Sequence, residues 1–235
     1  MFGLVLVVGL CGLAVAAVGI AHQLLPRQFT AVQRRAIETW EVHSRWRALA
    51  AGAIFPASVS YHLPAIALNG TSLELQAGRL GISPTDACAS ALTGTAGRVL
   101  HRDGCSAAMR ATYVDASGGL VATVAVAVLP TPAAALAALK SLAGRAAVVR
   151  PLAVPGTPAA GFGDRQRQLS AATAYGPYLV MSTAGFSDGR RKVHIGADPY
   201  LDAELKGLMT DLNGTTGKRL GSKPPTPVCP GAPGC

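Results

Sequence analysis

Twenty residues without a charge, Leu120 to Leu139, precede Lys140 in the run LVATVAVAVLPTPAAALAALK, and whether they cross a bilayer or fold into a domain decides the architecture of the chain. Length alone favours a crossing, since ~20 apolar residues at about 1.5 Å each span the hydrocarbon core. The internal pattern argues otherwise. Val124, Val126 and Val128 alternate with Thr123, Ala125 and Ala127, which is the period of two of a β-strand. Pro130 ends that strand, and Thr131 is placed to cap a helix with Pro132 at its first position. A spanning helix would hold both prolines in its interior, at a cost of up to about 3 kcal/mol each. The run is therefore read as a strand followed by a helix with an apolar stripe of Leu136, Leu139 and Ala143.

The same reasoning places the other elements. Thr30 and Gln33 have the spacing of a capping box and Gly52 is a stop, so residues 27–52 are expected to form a helix, with Ile37, Trp40, Ser44 and Arg47 on one face and Trp46 off it. That helix is read either as lying near a membrane interface or as packing on the domain. Asn69-Gly70 is a hairpin signal between two extended runs, and Pro64 marks the first run as an edge strand. Residues 84–103 look helical but are interrupted at Thr93-Gly94. Further hairpins turn at Ser117-Gly118-Gly119 and at Gly176-Pro177, and VVRPLAV reads as a short strand. Asp198 caps a last helix that begins at Pro199 and is expected to stop at about Leu212, before Gly214.

From Leu73 onward this gives strand, helix pair, strand, strand, helix, strand. The expected fold class is therefore α+β: a ferredoxin-like β-α-β-β-α-β antiparallel sheet with an extra hairpin and a C-terminal helix. The domain is expected over residues 54–214, followed by a Pro/Gly-rich tail over 215–235. A 235-residue chain with 50% hydrophobic and 14% charged residues has enough apolar surface for one such core.

The first 21 residues carry no charge or proline, so residues 1–22 are expected to be a transmembrane anchor in contact with the lipid bilayer. A cleaved signal peptide is the alternative, because Ala14-Val15-Ala16 has the form of a cleavage site, although the apolar run continues through Ile20. Arg27, Arg34 and Arg35 follow the run, and the positive-inside tendency by itself would leave the rest of the chain in the cytoplasm. The cysteines argue for the opposite side. With Cys11 set in the apolar run, Cys88, Cys105, Cys229 and Cys235 remain, an even number with no zinc spacing. Three disulfide connectivities are open, of which Cys88–Cys105 with Cys229–Cys235 is the most local; four unpaired thiols in a reducing compartment are the alternative. A single straight helix across 88–103 would hold Cys88 and Cys105 too far apart, whereas two short helices folded at Thr93 allow a bond. The expected location is the cytoplasmic membrane, with one crossing and the main domain outside the cytoplasm.

A formal net charge of +9 and a pI of about 9.8 imply an anionic neighbour. With 5% aromatic residues and no nucleic-acid motif, nucleic acid is not the expected partner. Two polar loops concentrate charge, Gly161 to Arg165 and Ser187 to Lys192. Their Arg165, Arg190, Arg191 and Lys192 are the candidate rim for an anionic envelope polymer or a membrane protein; solvated turns are the plainer reading. The five histidines are scattered, and no phosphate loop, dinucleotide fingerprint, nucleophile elbow or zinc-protease motif is present. No catalytic residue, cofactor or metal is therefore expected. Asp198, Asp202 and Glu204 are explained by capping and by the helix dipole.

The apolar segment followed by RRAIETWEVHSRW, then IFPASVSY, the cysteine pair and RATYVDASG resembles membrane-anchored extracytoplasmic proteins of actinobacteria that have no assigned activity. The resemblance covers most of the chain beyond the anchor and brings no catalytic motif. The functional expectation is a non-catalytic binding, sensor or scaffold protein of the cell envelope, with a hydrolase-like envelope enzyme as the alternative.

Overall fold

The computed structural model describes residues 30–63, 72–143, 149–194 and 198–221. The expected anchor over 1–22, the turn at Asn69-Gly70, and Cys229 and Cys235 lie outside the described residues. Among those described, no helix is long and apolar enough to cross a membrane.

The chain forms helices α1 (Ala31–Ala48) and α2 (Ala51–Ile54), strands β1 (Ser58–Leu63) and β2 (Leu73–Asp86), and helices α3 (Cys88–Ala91) and α4 (Gly94–Arg102). It continues with β3 (Ala107–Asp115), β4 (Leu120–Val128), α5 (Pro132–Leu142), β5 (Arg167–Tyr175), β6 (Tyr178–Phe186) and α6 (Pro199–Gly221). All six strands join one sheet in the order β1-β2-β3-β4-β6-β5, and every pairing is antiparallel.

This α+β sheet does not have the ferredoxin-like layout. That layout would put β4 between β2 and β3, whereas β2 pairs directly with β3 and β3 with β4. The helix pair α3–α4 returns the chain to the neighbouring strand position instead of stepping over one. The stretch VVRPLAV is not a strand of the sheet either. Val149 makes an isolated bridge to Leu92, and Arg150 donates its N–H to Ala91 O at 3.0 Å. From there the chain crosses a face of the sheet as an irregular strap, with prolines at 151 and 155 that cannot donate to a ladder.

The opening run is the centre of the domain. β4 is buried at every residue because layers cover both of its faces. Val124, Val126 and Val128 pack toward Leu205, Leu208 and Leu212 of α6, and Ala125 and Ala127 lie on the opposite side with Leu92, Leu100 and Ala138. Each buried valine contributes about 1.5–3 kcal/mol, which is why this strand tolerates no charge. Thr131 Oγ1 accepts the Ala134 N–H at 3.0 Å and caps α5 as expected. The buried face of α5 is Ala135, Ala138 and Leu142, however, and Leu136 is 52% exposed. Small side chains let this helix approach the alanine-rich face of the sheet, so the longer leucine is the one displaced outward.

α1 starts at the expected capping box, with Thr30 Oγ1 accepting from Gln33 N at 3.2 Å and Gln33 Oε1 from Thr30 N at 3.0 Å. Its docking face differs from the expected one. Val42, Trp46 and Leu49 pack against the core and Ile37 is fully buried, whereas Trp40 borders a surface cavity. Tyr178 donates its phenolic O–H to Val42 O, which ties α1 to β6. Burial pushes the Tyr178 phenol up to about 12, so it stays a donor at ordinary pH.

α6 runs nine residues past the expected stop, to Gly221. Gly214 and Gly217 do not end it, because close packing of Tyr175 of β5 on Gly217 and Gly221 offsets the low helix propensity of these glycines. Asp198 Oδ1 accepts from Tyr200 N at 3.1 Å and Leu201 N at 3.0 Å, as its capping role requires.

Candidate functional site

The hairpin β5–β6 positions the two polar loops, because one loop enters β5 and the other leaves β6 at the same end of the sheet. Leu120 pairs with Phe186 and Arg167 with Gly185, so the β3–β4 turn lies at that end too. Ser187 N donates to Gly119 O at 3.0 Å and closes the corner. The loops then meet. Lys192 N donates to Arg165 O at 3.0 Å, and Gln166 Nε2 donates to Gly189 O at 3.2 Å.

The residue that organises the contact is Gln168. A β-bulge between Arg167 and Leu169 turns its side chain inward, where it is 3% exposed. Its Nε2 donates to Gln166 O at 3.2 Å and Arg191 O at 3.3 Å, and its Oε1 accepts from Val193 N at 2.9 Å. Buried amides require such partners, and here satisfying one amide holds both loops in place. Gln166 and Gln168 give no signal in the sequence, since nothing in RQRQL distinguishes a stapling glutamine from a solvated one. Gly185 carries a further requirement: a Cβ there would collide with Gln166 O, so only glycine lets the bulged strand approach β6 this closely.

Arg165, Arg190, Arg191 and Lys192 all end on the surface. Arg190 has an ion-pair partner and an aromatic neighbour. It pairs with Asp188, donating from Nε to Oδ2 at 2.7 Å, and lies 4.4 Å from the centre of the Phe186 ring. The hydrogen bonds from Arg190 hold the Asp188 carboxyl below its usual range and keep the guanidinium charged. No ion pair to Arg165, Arg191 or Lys192 is present among the described residues. Arg167 is set deeper and holds the strap, with Nη1 3.1 Å from Val149 O and 3.3 Å from Asp164 Oδ1. Burial lowers its pKa and Asp164 opposes that shift. Together the two loops gather five cations against Asp164 and Asp188, a surplus of three positive charges within the loops themselves.

The strap behind the rim is fixed by a row of hydroxyls. Thr112, Thr123, Thr183 and Ser170 stand opposite one another on β3, β4, β6 and β5. Thr112 Oγ1 shares a hydrogen bond with Thr123 Oγ1 at 2.9 Å and donates to Leu152 O at 2.7 Å, while Leu152 N donates to Thr123 Oγ1 at 3.0 Å. Phe162, buried with Val121 and Ala159, anchors the far end of the strap. At its near end, the Cys88–Cys105 disulfide joins α3 to the residues after α4, with Cα atoms 6.3 Å apart. The break at Leu92-Thr93 folds the two helices together, as the bond requires.

The family model described as "Domain of unknown function (DUF7373) N-terminal" matches residues 71–229, more than half of the chain. The chain belongs to this DUF7373 family. The match takes in β2 through α6, and with them the disulfide, the strap and the rim, while α1, α2 and β1 precede it. No curated protein and no solved structure matches the chain.

A histidine–carboxylate pair lies elsewhere, between β1, which precedes the matched residues, and α6, which lies within them. His62 of β1 has Nδ1 3.2 Å from Asp211 Oδ2 of α6, the same oxygen that accepts the His62 N–H at 2.8 Å. Beside it, Tyr61 donates to Glu204 Oε1 at 3.1 Å. Among the described residues no hydroxyl or thiol hydrogen-bonds the His62 ring, and no three His, Cys, Asp or Glu side chains gather as a metal site.

Proposed function

We propose that this DUF7373 protein is a non-catalytic binding or scaffold component of the cell envelope that recognises an anionic envelope polymer or an acidic membrane protein through Arg165, Arg190, Arg191 and Lys192. In this reading residues 1–22 are a single membrane anchor, and the sheet domain stands outside the cytoplasm, as in the membrane-anchored actinobacterial proteins that the sequence resembles. The observation that carries the proposal is the joining of the two loops, with Lys192 N 3.0 Å from Arg165 O, which turns separate charged turns into one surface. A polyanion gains from such a surface because loop backbones held together by hydrogen bonds need not be reordered on binding. The disulfide supports an oxidising location.

The test is photocrosslinking in native membranes. A photoreactive residue at exposed Gly161 is expected to capture an acidic polymer or protein, and one at exposed Ser90, at the other end of the sheet, is not. Equal capture from both positions would count against the rim. The hydrolase-like alternative has one observation in its favour, the His62–Asp211 pair, since a carboxylate on an imidazole nitrogen is how a general base is oriented.

A further inference from the structure

The sheet ends in two edges that differ in their cover. Along β1, the outward N–H of His62 donates to Asp211 Oδ2 at 2.8 Å, and α6 lies so close that a Cβ at Gly207 would collide with His62 O. That edge is closed by the helix. At the other edge, Tyr175 of β5 meets Tyr178 across a two-residue turn, and Leu129 N donates to Pro177 O, so the main chain of Tyr178 bonds toward β5 and not β4. Counting back in steps of two, Thr173, Ala171 and Leu169 bond toward β6, and the N–H and C=O groups of Ser170, Ala172 and Ala174 point outward. Among the described residues these outward groups have no hydrogen-bond partner. β6 is buried at every residue, yet each residue of β5 from Leu169 to Tyr175 is half-buried or exposed.

An open edge is a template for another strand, and proteins blunt such edges with charge, proline or a bulge. From Gln168 to Tyr175 there is no charge and no proline, and the bulge between Arg167 and Leu169 stands at the entrance to the strand. The spacing of the outward groups selects the partner. Ser170 and Ala174 are placed symmetrically about Ala172, so an antiparallel copy of the same strand, related by a two-fold axis at Ala172, meets every outward group with its complement. An axis at Ala171 or at Thr173 would instead set one outward residue against the bulge or the turn. On the α6 face the same register sets Leu169 against Tyr175 of the copy, an apolar pair made twice. On the α5 face only Ser170, Ala172 and Ala174 meet their counterparts, and these small side chains allow close approach. Because the two strands run in opposite directions, the cationic rims lie on the order of 30 Å apart, several Debye lengths, and their repulsion is screened. We infer that β5 is a self-association edge, through which two copies of this chain pair over Ser170 to Ala174 and continue the sheet across both domains. The pairing does not depend on what the rim binds.

Sedimentation of the full chain in detergent, from about 1 to about 100 µM, is expected to show an equilibrium between monomer and dimer. Ala172→Pro removes an outward N–H and leaves the ladder between β5 and β6 intact, and it should weaken the dimer by at least about tenfold. Thr173→Lys puts a charge on the edge at an exposed position and should weaken it severalfold, so the question is decided even if the proline variant does not fold. Oxidative crosslinking reads the register. Two Ala172 Cα atoms would be about 5.5 Å apart, within reach of a disulfide, whereas two Thr173 Cα atoms would be about 8 Å apart. Ala172→Cys should therefore form a covalent dimer at least about tenfold faster than Thr173→Cys, with the unaltered chain giving the background from its own cysteines. The inference is overturned if the unaltered chain stays monomeric at about 100 µM, if the folded Ala172→Pro or Thr173→Lys variant dimerises as the unaltered chain does, or if the two cysteine variants crosslink alike.

Discussion

The ring of Tyr175 on β5 lies against the bare backbone of Gly217 on α6, so closely that a Cβ at Gly217 would overlap the ring carbons Cγ, Cδ2 and Cε2. Gly221 receives the same side chain one turn later, where a Cβ would lie 2.7 Å from Tyr175 Cβ. Gly217→Ala therefore forces the helix off the sheet and should destabilise the protein by about 1–3 kcal/mol. Gly214→Ala meets only Tyr175 Oη at 3.7 Å and should be neutral or stabilise by up to about 1 kcal/mol through helix propensity. Denaturation midpoints of the two variants check this, and equal effects would rule out the packing explanation.

The disulfide closes a loop of sequence separation 17 around α3 and α4, and that region also receives the strap at Leu92 and Ala91. Reduction, or Cys88→Ala with Cys105→Ala, should lower stability by about 3 kcal/mol on the chain-entropy estimate. Thermal unfolding with and without reductant measures it. Proteolysis within 149–163 should rise in the reduced protein if the two features are coupled as the contacts indicate.

Glu204 shows how burial sets the pH response. Desolvation raises its pKa, and the hydrogen bond from Tyr61 opposes the shift only in part. A carboxyl whose pKa is higher folded than unfolded contributes stability that is fully present below its unfolded value and is lost as pH rises through its folded value. Glu204→Gln should therefore lose less stability than the unaltered chain between pH 4 and pH 8. Urea unfolding across that range tests the sign, and a larger loss in the variant would contradict it.

Gln168 is expected to position the rim without contacting the anion. Gln168→Ala removes three hydrogen bonds to the loops and leaves every cation in place. Polyanion binding should weaken by about three- to tenfold while its salt dependence stays close to that of the unaltered chain. Direct titration at several salt concentrations separates this outcome from loss of charge, which would flatten the dependence.

Patterns local to the chain were legible in the sequence, and pairing between distant segments was not. The alternation in Leu120–Val128, the caps at Thr30, Thr131 and Asp198, and the break at Thr93 each follow from a few neighbouring residues, and each is present in the structure. The order β1-β2-β3-β4-β6-β5 depends on which strands meet, and the sequence of elements admits more than one answer. The strap is not legible in the sequence because VVRPLAV has the composition of a strand, while its partners are side-chain hydroxyls of Thr112 and Thr123 on strands elsewhere in the chain. At the rim, the charged residues stood out, but the glutamines that join them look like ordinary surface residues. The glycines of α6 misled for a similar reason: a helix stop and a packing groove use the same residue.

The most direct measurement of the central claim is the affinity of the full chain for inorganic polyphosphate, compared with a variant carrying Arg165→Ala, Arg190→Ala, Arg191→Ala and Lys192→Ala. All four side chains are exposed, so each should change stability by no more than about 0.5 kcal/mol and the fold should persist. The rim predicts saturable binding that weakens as salt rises, and a variant that binds at least about tenfold more weakly at low salt with a flatter salt dependence. Equal affinity and equal salt dependence in the two proteins would show that the joined loops are not the anion-binding surface.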